Sequence, residues 1–223
     1  MLIDSLFAND DSISRQWQEP LAKDSVVLRG FAYREAHTLL HHIMNVAKQA
    51  PFCHFVTPSG HVMSIAITNC GSLGWTSSQQ GYLYTRTDPL SGQAWPSMPA
   101  IFRQIAQQAA SDAGYSDFLP DACLINRYYP GSRLSLHQDK DEDDLSQPIV
   151  SVSLGLTATF LFGGLQREHP KQRITLTHGD IVVWGGDSRL NYHGILPLKN
   201  GIAPEPLQEQ VRYNFTFRRV TRA

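Results

Sequence analysis

A mainly β member of the α+β class is the fold this sequence predicts, on three observations. After Pro120 nearly every apolar stretch is short, rich in Val, Ile, Phe and Thr, and closed by glycine or proline, as in strands joined by tight turns. Ahead of these lie two segments with apolar residues at helical spacing. Near the end, VRYNFTFR (211–218) alternates apolar and polar residues without a break. Many short strands of this kind fit a sandwich or barrel, a jelly roll foremost.

Bulk properties narrow the class further. The 223 residues are 42% apolar and 17% charged, which permits a sizeable core and excludes a disordered chain or a coiled coil. A net charge of −1 argues against a broad surface that coats nucleic acid, while leaving room for a local basic patch. The three cysteines, Cys53, Cys70 and Cys123, form no C-x-x-C pair, so a disulfide framework is not expected and a reducing cytosol fits. The start, MLIDSLFANDDSISR, lacks a basic flank before a long apolar run, and no stretch approaches the ~18 apolar residues of a membrane span. A soluble, monomeric, cytoplasmic protein is expected.

The first thirty residues read as an arm ending in a short strand, SVVLRGF. Residues 33–49 predict a helix with Leu39, Leu40, Ile43, Met44 and Ala47 on its apolar face, stopped by Pro51. His37, His41 and His42 lie on it without a carboxylate at ligand spacing and read as surface or packing residues. Residues 55–98 are rich in Gly, Ser, Thr and aromatics and predict short strands such as HVMSIAIT. A second helix spans 99–113, with Ile101, Phe102, Ile105, Ala106 and Ala109 on one face and Gly114 where a C-cap belongs. From about 120 follow the strands ACLINRYY, RLSLHQD, PIVSVSLGL, TATFLFGG, QRITLT, IVVW, NYHGIL and VRYNFTFRRV. The whole of 1–223 reads as a single domain: arm and helix in 1–54, a strand-rich insert in 55–98, and helix plus β-core in 99–223.

Chemistry concentrates in SLHQDKDE. If RLSLHQD is extended, His137 and Asp139 share a face, and Asp141 joins them if the strand runs that far. A third ligand must come from elsewhere, and His193 in NYHGI is the best candidate. Two histidines and a carboxylate make the facial triad of non-haem Fe(II) oxygenases, and zinc is the rival metal. On the last strand, Val211, Tyr213, Phe215 and Phe217 face one way, and Arg212, Asn214, Thr216 and Arg218 the other. Two arginines inside a small barrel are costly unless they meet anions, and a dicarboxylate would suit their planar forks. The alternative is a solvated face of an edge strand. The Cα atoms of Arg212 and Arg218 would stand roughly 20 Å apart on a straight strand, far more than a small diacid spans.

Together NRYYPGSRLSLHQDKDE, PIVSVSLG, HGDIVVWGG, YHGI and RYNFTFR resemble the AlkB family of iron- and 2-oxoglutarate-dependent nucleic-acid dealkylases. The likeness runs from WQEPL to FTFR, with no departure at a ligand position and changes in loops such as REHPKQR and KNGIAPEPLQEQ. It implies a double-stranded β-helix core with N-terminal helices and a nucleotide-recognition lid in 55–98. It implies Fe(II) on His137, Asp139 and His193. It implies 2-oxoglutarate among Asn126, Arg127, Tyr128, Arg212, Asn214 and Arg218, with Arg212 on the distal carboxylate and Arg218 near the metal-binding end. Dioxygen would then oxidise an N-alkyl group on a base such as 1-methyladenine or 3-methylcytosine, releasing formaldehyde and the normal base. The substrate would be alkylated DNA, single strands preferred and RNA left open, with the base flipped out of the stack.

On that resemblance Trp75 and His137 would sandwich the base. Tyr82, Leu83 and Tyr84 would line the entrance, the two tyrosines holding the adjoining phosphate. Asp141 would favour a cationic base, and Arg167 would lie on the substrate side. Trp184 would stack or pack beneath the site. Arg127, Arg133, Lys140 and Lys171 are further candidates for phosphate contacts. Two other readings stay open: a related hydroxylase of a protein or small molecule, and a jelly-roll binding module with a structural metal. A zinc base deaminase fits poorly, since H-x-E with P-C-x-x-C is absent.

Overall fold

The strand-forming segments close into two facing sheets. The computed structural model describes residues 17–222; residues 1–16 of the expected arm lie outside the described residues. The larger, antiparallel sheet has the order β1 (Trp17–Ala22), β2 (Ser25–Arg29), β11 (Ile181–Trp184), β8 (Ile149–Gly155), β13 (Arg212–Arg218), β6 (Ala122–Tyr128), β3 (Ala66–Gly71). The smaller runs β10 (Gln172–Leu176), β9 (Ala158–Phe162), β12 (His193–Ile195), β7 (Leu134–His137). This is the expected mainly β, double-stranded β-helix arrangement. A hairpin, β4 (Gly74–Ser78) and β5 (Gly81–Thr85), forms a two-stranded sheet of its own. Three strands that precede residue 120, β1, β2 and β3, complete the large sheet, so the β-core does not begin where the turn-rich pattern does. HVMSIAIT contributes only its last three residues to β3, and the rest of 55–98 holds the hairpin between irregular segments.

Two helices cover the outer face of the large sheet. α1 (Ala36–Gln49) begins three residues later than its periodicity predicts, because residues 31–35 form turns in which the Ala32 N–H donates to the Gly179 carbonyl. It buries Leu39, Leu40, Ile43 and Val46. Met44, expected on that face, is exposed: at 100° per residue Val46 completes the buried stripe with Ile43 and Leu39. α2 (Ala100–Asp112) buries Phe102, Ile105, Ala106, Ala109 and Ala110, and Gly114 follows at φ +89°, as a helix end requires. Phe102 lies against Phe215 and Phe217 of β13 at ring-centroid distances of 5.0 and 6.1 Å. All three rings are buried, each contributing about 1.5–3 kcal/mol from removal of apolar surface.

A second apolar cluster fills the space between the sheets, with Tyr128, Phe160, Phe162, Trp184 and Ile195 among its members. The alternation of β13 thus divides two layers, aromatic towards the helices and polar towards the sheet interior. Close strand approach here needs Gly155 at the end of β8. It sits at φ +94°, and a Cβ there would lie 2.2 Å from the Val211 carbonyl oxygen. The three cysteines are free. Among the described residues no helix is long and apolar enough to cross a membrane.

Candidate functional site

Register places the first pair of ligands. β7 and β12 are antiparallel neighbours, and His137 stands directly opposite His193. Their rings lie 4.3 Å apart between centroids. Each ring uses Nδ1 on a backbone carbonyl two residues upstream, Ser135 for His137 and Asn191 for His193, both at 2.9 Å. With Nδ1–H donating, Nε2 is left as a lone-pair donor on each ring. Asp139 completes the group: its Oδ1 is 3.6 Å from His137 Nε2 and its Oδ2 is 3.8 Å from His193 Nε2. One ligand atom from each of the three residues lies within 4.8 Å of the others. The strand ends at His137, so Asp139 arrives from a loop. Asp141 does not continue their face; it is exposed, and the Trp75 indole Nε1 approaches its Oδ2 at 3.5 Å.

Charge keeps this trio ready for a cation. Burial by itself would raise the Asp139 carboxyl, but the Arg218 guanidinium outweighs it, donating to Oδ2 from Nη2 at 2.7 Å and Nε at 3.2 Å. With both imidazoles adding to that pull, the carboxyl is held well below the usual range. His193 moves down to about 4, first because it is buried and then because His137 faces it, so its imidazole is neutral at pH 7.

The inner face of β13 and β6 carries the second constellation. Arg212 pairs in register with Tyr128, and Asn214 with Asn126. Arg212 is fully buried; Nη1 donates to the Leu156 carbonyl at 3.1 Å and Nη2 to Ser153 Oγ at 2.7 Å. Arg212 Nε, the Tyr128 hydroxyl and Asn126 Oδ1 are buried without a hydrogen-bond partner. Asn214 Nδ2 is taken by Ser151 Oγ and the Val152 carbonyl at 2.8 and 3.0 Å. Arg218 lies at the metal end of the same face, engaged by Asp139 and, at 3.3 Å from Nε, by Glu142. Arg127 does not join this group. Strand alternation turns it to the other face of β6, where its guanidinium lies 4.5 Å from the Phe52 ring centre.

The hairpin supplies the aromatic wall. The Asn69 side chain on β3 holds it by exchanging two hydrogen bonds of 3.0 Å with the Trp75 backbone. Trp75 stacks on Tyr82 at 5.4 Å with 21° between planes. Tyr82 is half exposed. Tyr84 differs from its expected entrance role: its hydroxyl turns inward and donates to Glu142 Oε1 at 2.6 Å. Leu83 points to the opposite face from both tyrosines and is 61% exposed. Arg167 reaches the metal strand, donating to the Leu136 carbonyl at 2.8 Å, and Lys171 Nζ donates to the Arg167 carbonyl. Arg133 and Lys140 are exposed. Trp184 is buried 5.0 Å from the His193 ring and packs beneath the site.

The 2OG-Fe(II) oxygenase superfamily profile matches residues 24–218. The alpha-ketoglutarate-dependent dioxygenase AlkB of Escherichia coli (strain K12) is 60% identical over 202 residues, 91% of this chain and 93% of its own length. The AlkB homolog of Caulobacter vibrioides is 39% identical over 188 residues, 83% of this chain and 82% of its own. A solved structure titled "The structure of OsALKBH1" superposes with a TM-score of 0.80 at 28% identity, covering 91% of this chain and 99% of that one. This chain belongs to the AlkB family of 2OG-Fe(II) oxygenases.

As an AlkB-family member it is a dioxygenase that requires Fe(II), 2-oxoglutarate and O2, and the residues present fit that requirement. Two imidazoles and one carboxylate are a ferrous donor set. A buried guanidinium with an unused N–H beside an unpartnered phenol fits a carboxylate ligand. Two buried residues beside the triad escaped the sequence reading. Glu142 is hidden in the charged run DKDEDD, where any carboxylate looks solvated, yet it is 7% exposed. Arg189, in GGDSRLNYH, is 3% exposed. Its spacing of four residues before His193 was the one available hint.

Proposed function

We propose that this chain is an oxidative demethylase that repairs N-alkylated bases such as 1-methyladenine and 3-methylcytosine in DNA. The observation that carries the reading is the position of the Trp75–Tyr82 stack, which meets, through Asp141, the same loop that carries the metal ligand Asp139. Bound iron, with 2-oxoglutarate and O2, supplies the oxidising equivalent that hydroxylates the alkyl carbon; the hemiaminal so formed breaks down to formaldehyde and the unmodified base. His137, Asp139 and His193 hold the metal, and Arg218 orients the Asp139 carboxylate. Arg212 and Tyr128 take the distal carboxylate of 2-oxoglutarate, with Asn126 and Asn214 completing that wall.

The hairpin within 55–98 serves as the recognition lid of a single domain. Trp75 stacks on the flipped base, for which a damaged base that has lost its pairing costs least. Tyr82 and Arg167 flank the entrance. Asp141, beside the indole, favours the positive charge that alkylation at the pairing edge creates. The enzyme is read as a cytoplasmic monomer that prefers single strands, with RNA a further substrate.

The test is incubation with Fe(II), 2-oxoglutarate and an N-methylated single-stranded oligodeoxynucleotide. Succinate, formaldehyde and restored base should rise together, and His137→Ala should abolish all three. Succinate formation without base repair would instead favour a hydroxylase of a protein or small molecule.

A further inference from the structure

We propose that Arg189 is a positioning residue whose guanidinium staples the loop after β7 to the segment carrying His193, setting the metal carboxylate and the recognition hairpin together. The proposal rests on the dioxygenase reading of the triad. Arg189 uses three donors at once: Nη1 to the Asp139 carbonyl at 2.6 Å, Nε to the Gln147 carbonyl at 2.9 Å, and Nη2 to Glu142 Oε2 at 2.9 Å. Glu142 Oε1 in turn accepts from the Tyr84 hydroxyl at 2.6 Å and lies 3.3 Å from Arg218 Nε. Arg218 returns to the Asp139 carboxylate at 2.7 Å. The ring is closed and balanced in charge, with two guanidinium groups against two carboxylates. Through Tyr84 it reaches β5 of the hairpin.

The loop has little else to fix it. Between Asp139 and Gln147 its one apolar side chain is Leu145, which is 38% exposed. Other ties are polar: the Asp143 N–H to the Val220 carbonyl at 3.0 Å, Arg222 Nε to the Asp143 carbonyl at 3.0 Å, and Gln138 Nε2 to the Leu190 carbonyl at 2.6 Å. The last closes the same seam that Arg189 spans. An apolar anchor would hold the loop without direction, whereas a planar fork on two carbonyls and a carboxylate specifies where each must be.

The test is Arg189→Lys, which keeps the charge but offers one compact ammonium that cannot meet three separated acceptors. Cobalt(II) binding, followed by its visible absorption, reports the metal site without turnover. The expected result is about tenfold weaker Co(II) binding or worse, the range typical for loss of a group that orients a ligand, with a changed band shape. In the iron enzyme the ratio of succinate to formaldehyde should rise, because metal and hairpin no longer hold register. Co(II) affinity within twofold of the parent in a variant that circular dichroism finds folded would overturn the proposal. Should Arg189→Lys not fold, Glu142→Asp breaks the same bridge at constant charge, and Co(II) binding unchanged there overturns it equally. A parent enzyme that binds Co(II) yet repairs no methylated oligonucleotide would sink the repair function and leave the staple standing.

Discussion

Arg212→Met separates what a buried charge does for the fold from what it does for the co-substrate. Arg212 is fully buried and, among the described residues, no carboxylate forms an ion pair with it. Burial lowers its pKa to about 10 from 12.5. The group is still charged at pH 7, and a depression of that size costs the charged form roughly 3 kcal/mol. Methionine removes that penalty and forfeits the hydrogen bonds to Leu156 and Ser153, roughly 1 kcal/mol net each. The two effects nearly cancel, so the ligand-free variant should melt within about 2–4 °C of the parent. Co-substrate changes the comparison. At a hundred times its Kd, 2-oxoglutarate should stabilise the parent by about 2.7 kcal/mol, or roughly 5–10 °C, and the variant not at all. The assay is thermal denaturation of the Mn(II)-loaded proteins, with and without 2-oxoglutarate, under nitrogen. A ligand-induced shift in Arg212→Met equal to the parent's would refute the assignment. A ligand-free loss of about 3–5 kcal/mol would refute the energetics, because it would mean that the protein alone compensates the charge.

Asp141→Asn should lower kcat/KM for a 1-methyladenine oligonucleotide by about five- to tenfold, roughly 1 kcal/mol for an exposed charge near a cation, and spare a neutral lesion; equal losses on both substrates would reject the charge reading. The metal-free protein should lose stability as pH falls from 6.5 to about 4. The unfolded chain protonates His193 near 6.5 while the fold resists to about 4, a difference of roughly 3 kcal/mol that is complete below the lower value. Urea midpoints across that window, steeper for the parent than for His193→Gln, check it. Gly74→Ala would place a Cβ 2.4 Å from the Trp95 ring and 2.8 Å from Asn69 Cβ at the base of the hairpin. A cost of about 1–3 kcal/mol and a raised KM for the oligonucleotide should follow, and an unchanged KM would show that hairpin placement does not govern substrate binding.

Periodicity and spacing were enough for much of the fold. The alternation of VRYNFTFR placed Tyr213, Phe215 and Phe217 on one layer and Arg212, Asn214 and Arg218 on the other, since side-chain direction on a strand is a local property of the backbone. The same rule, applied strictly, would have removed Arg127 from the co-substrate wall, because its neighbours Asn126 and Tyr128 already occupied the inner face. H-x-D with a distal histidine picked out the three ligands, since short polar motifs keep their identity in one dimension. The start of α1 was misread because its first residues are held in turns by Gly179, a partner nearly 150 positions away.

What the chain alone determined, then, was which side chains share a face and which chemistry their types allow. Tertiary structure decided which faces meet. It set His137 opposite His193 across β7 and β12 and drew Asp139 in from a loop rather than a strand. It turned Tyr84 away from the entrance, and it buried Glu142 and Arg189 where a run of charges reads as solvated surface. The physical reason is that local sequence sets direction and polarity, whereas burial and hydrogen-bond partnership depend on segments far apart in the chain, and only the folded register brings those together.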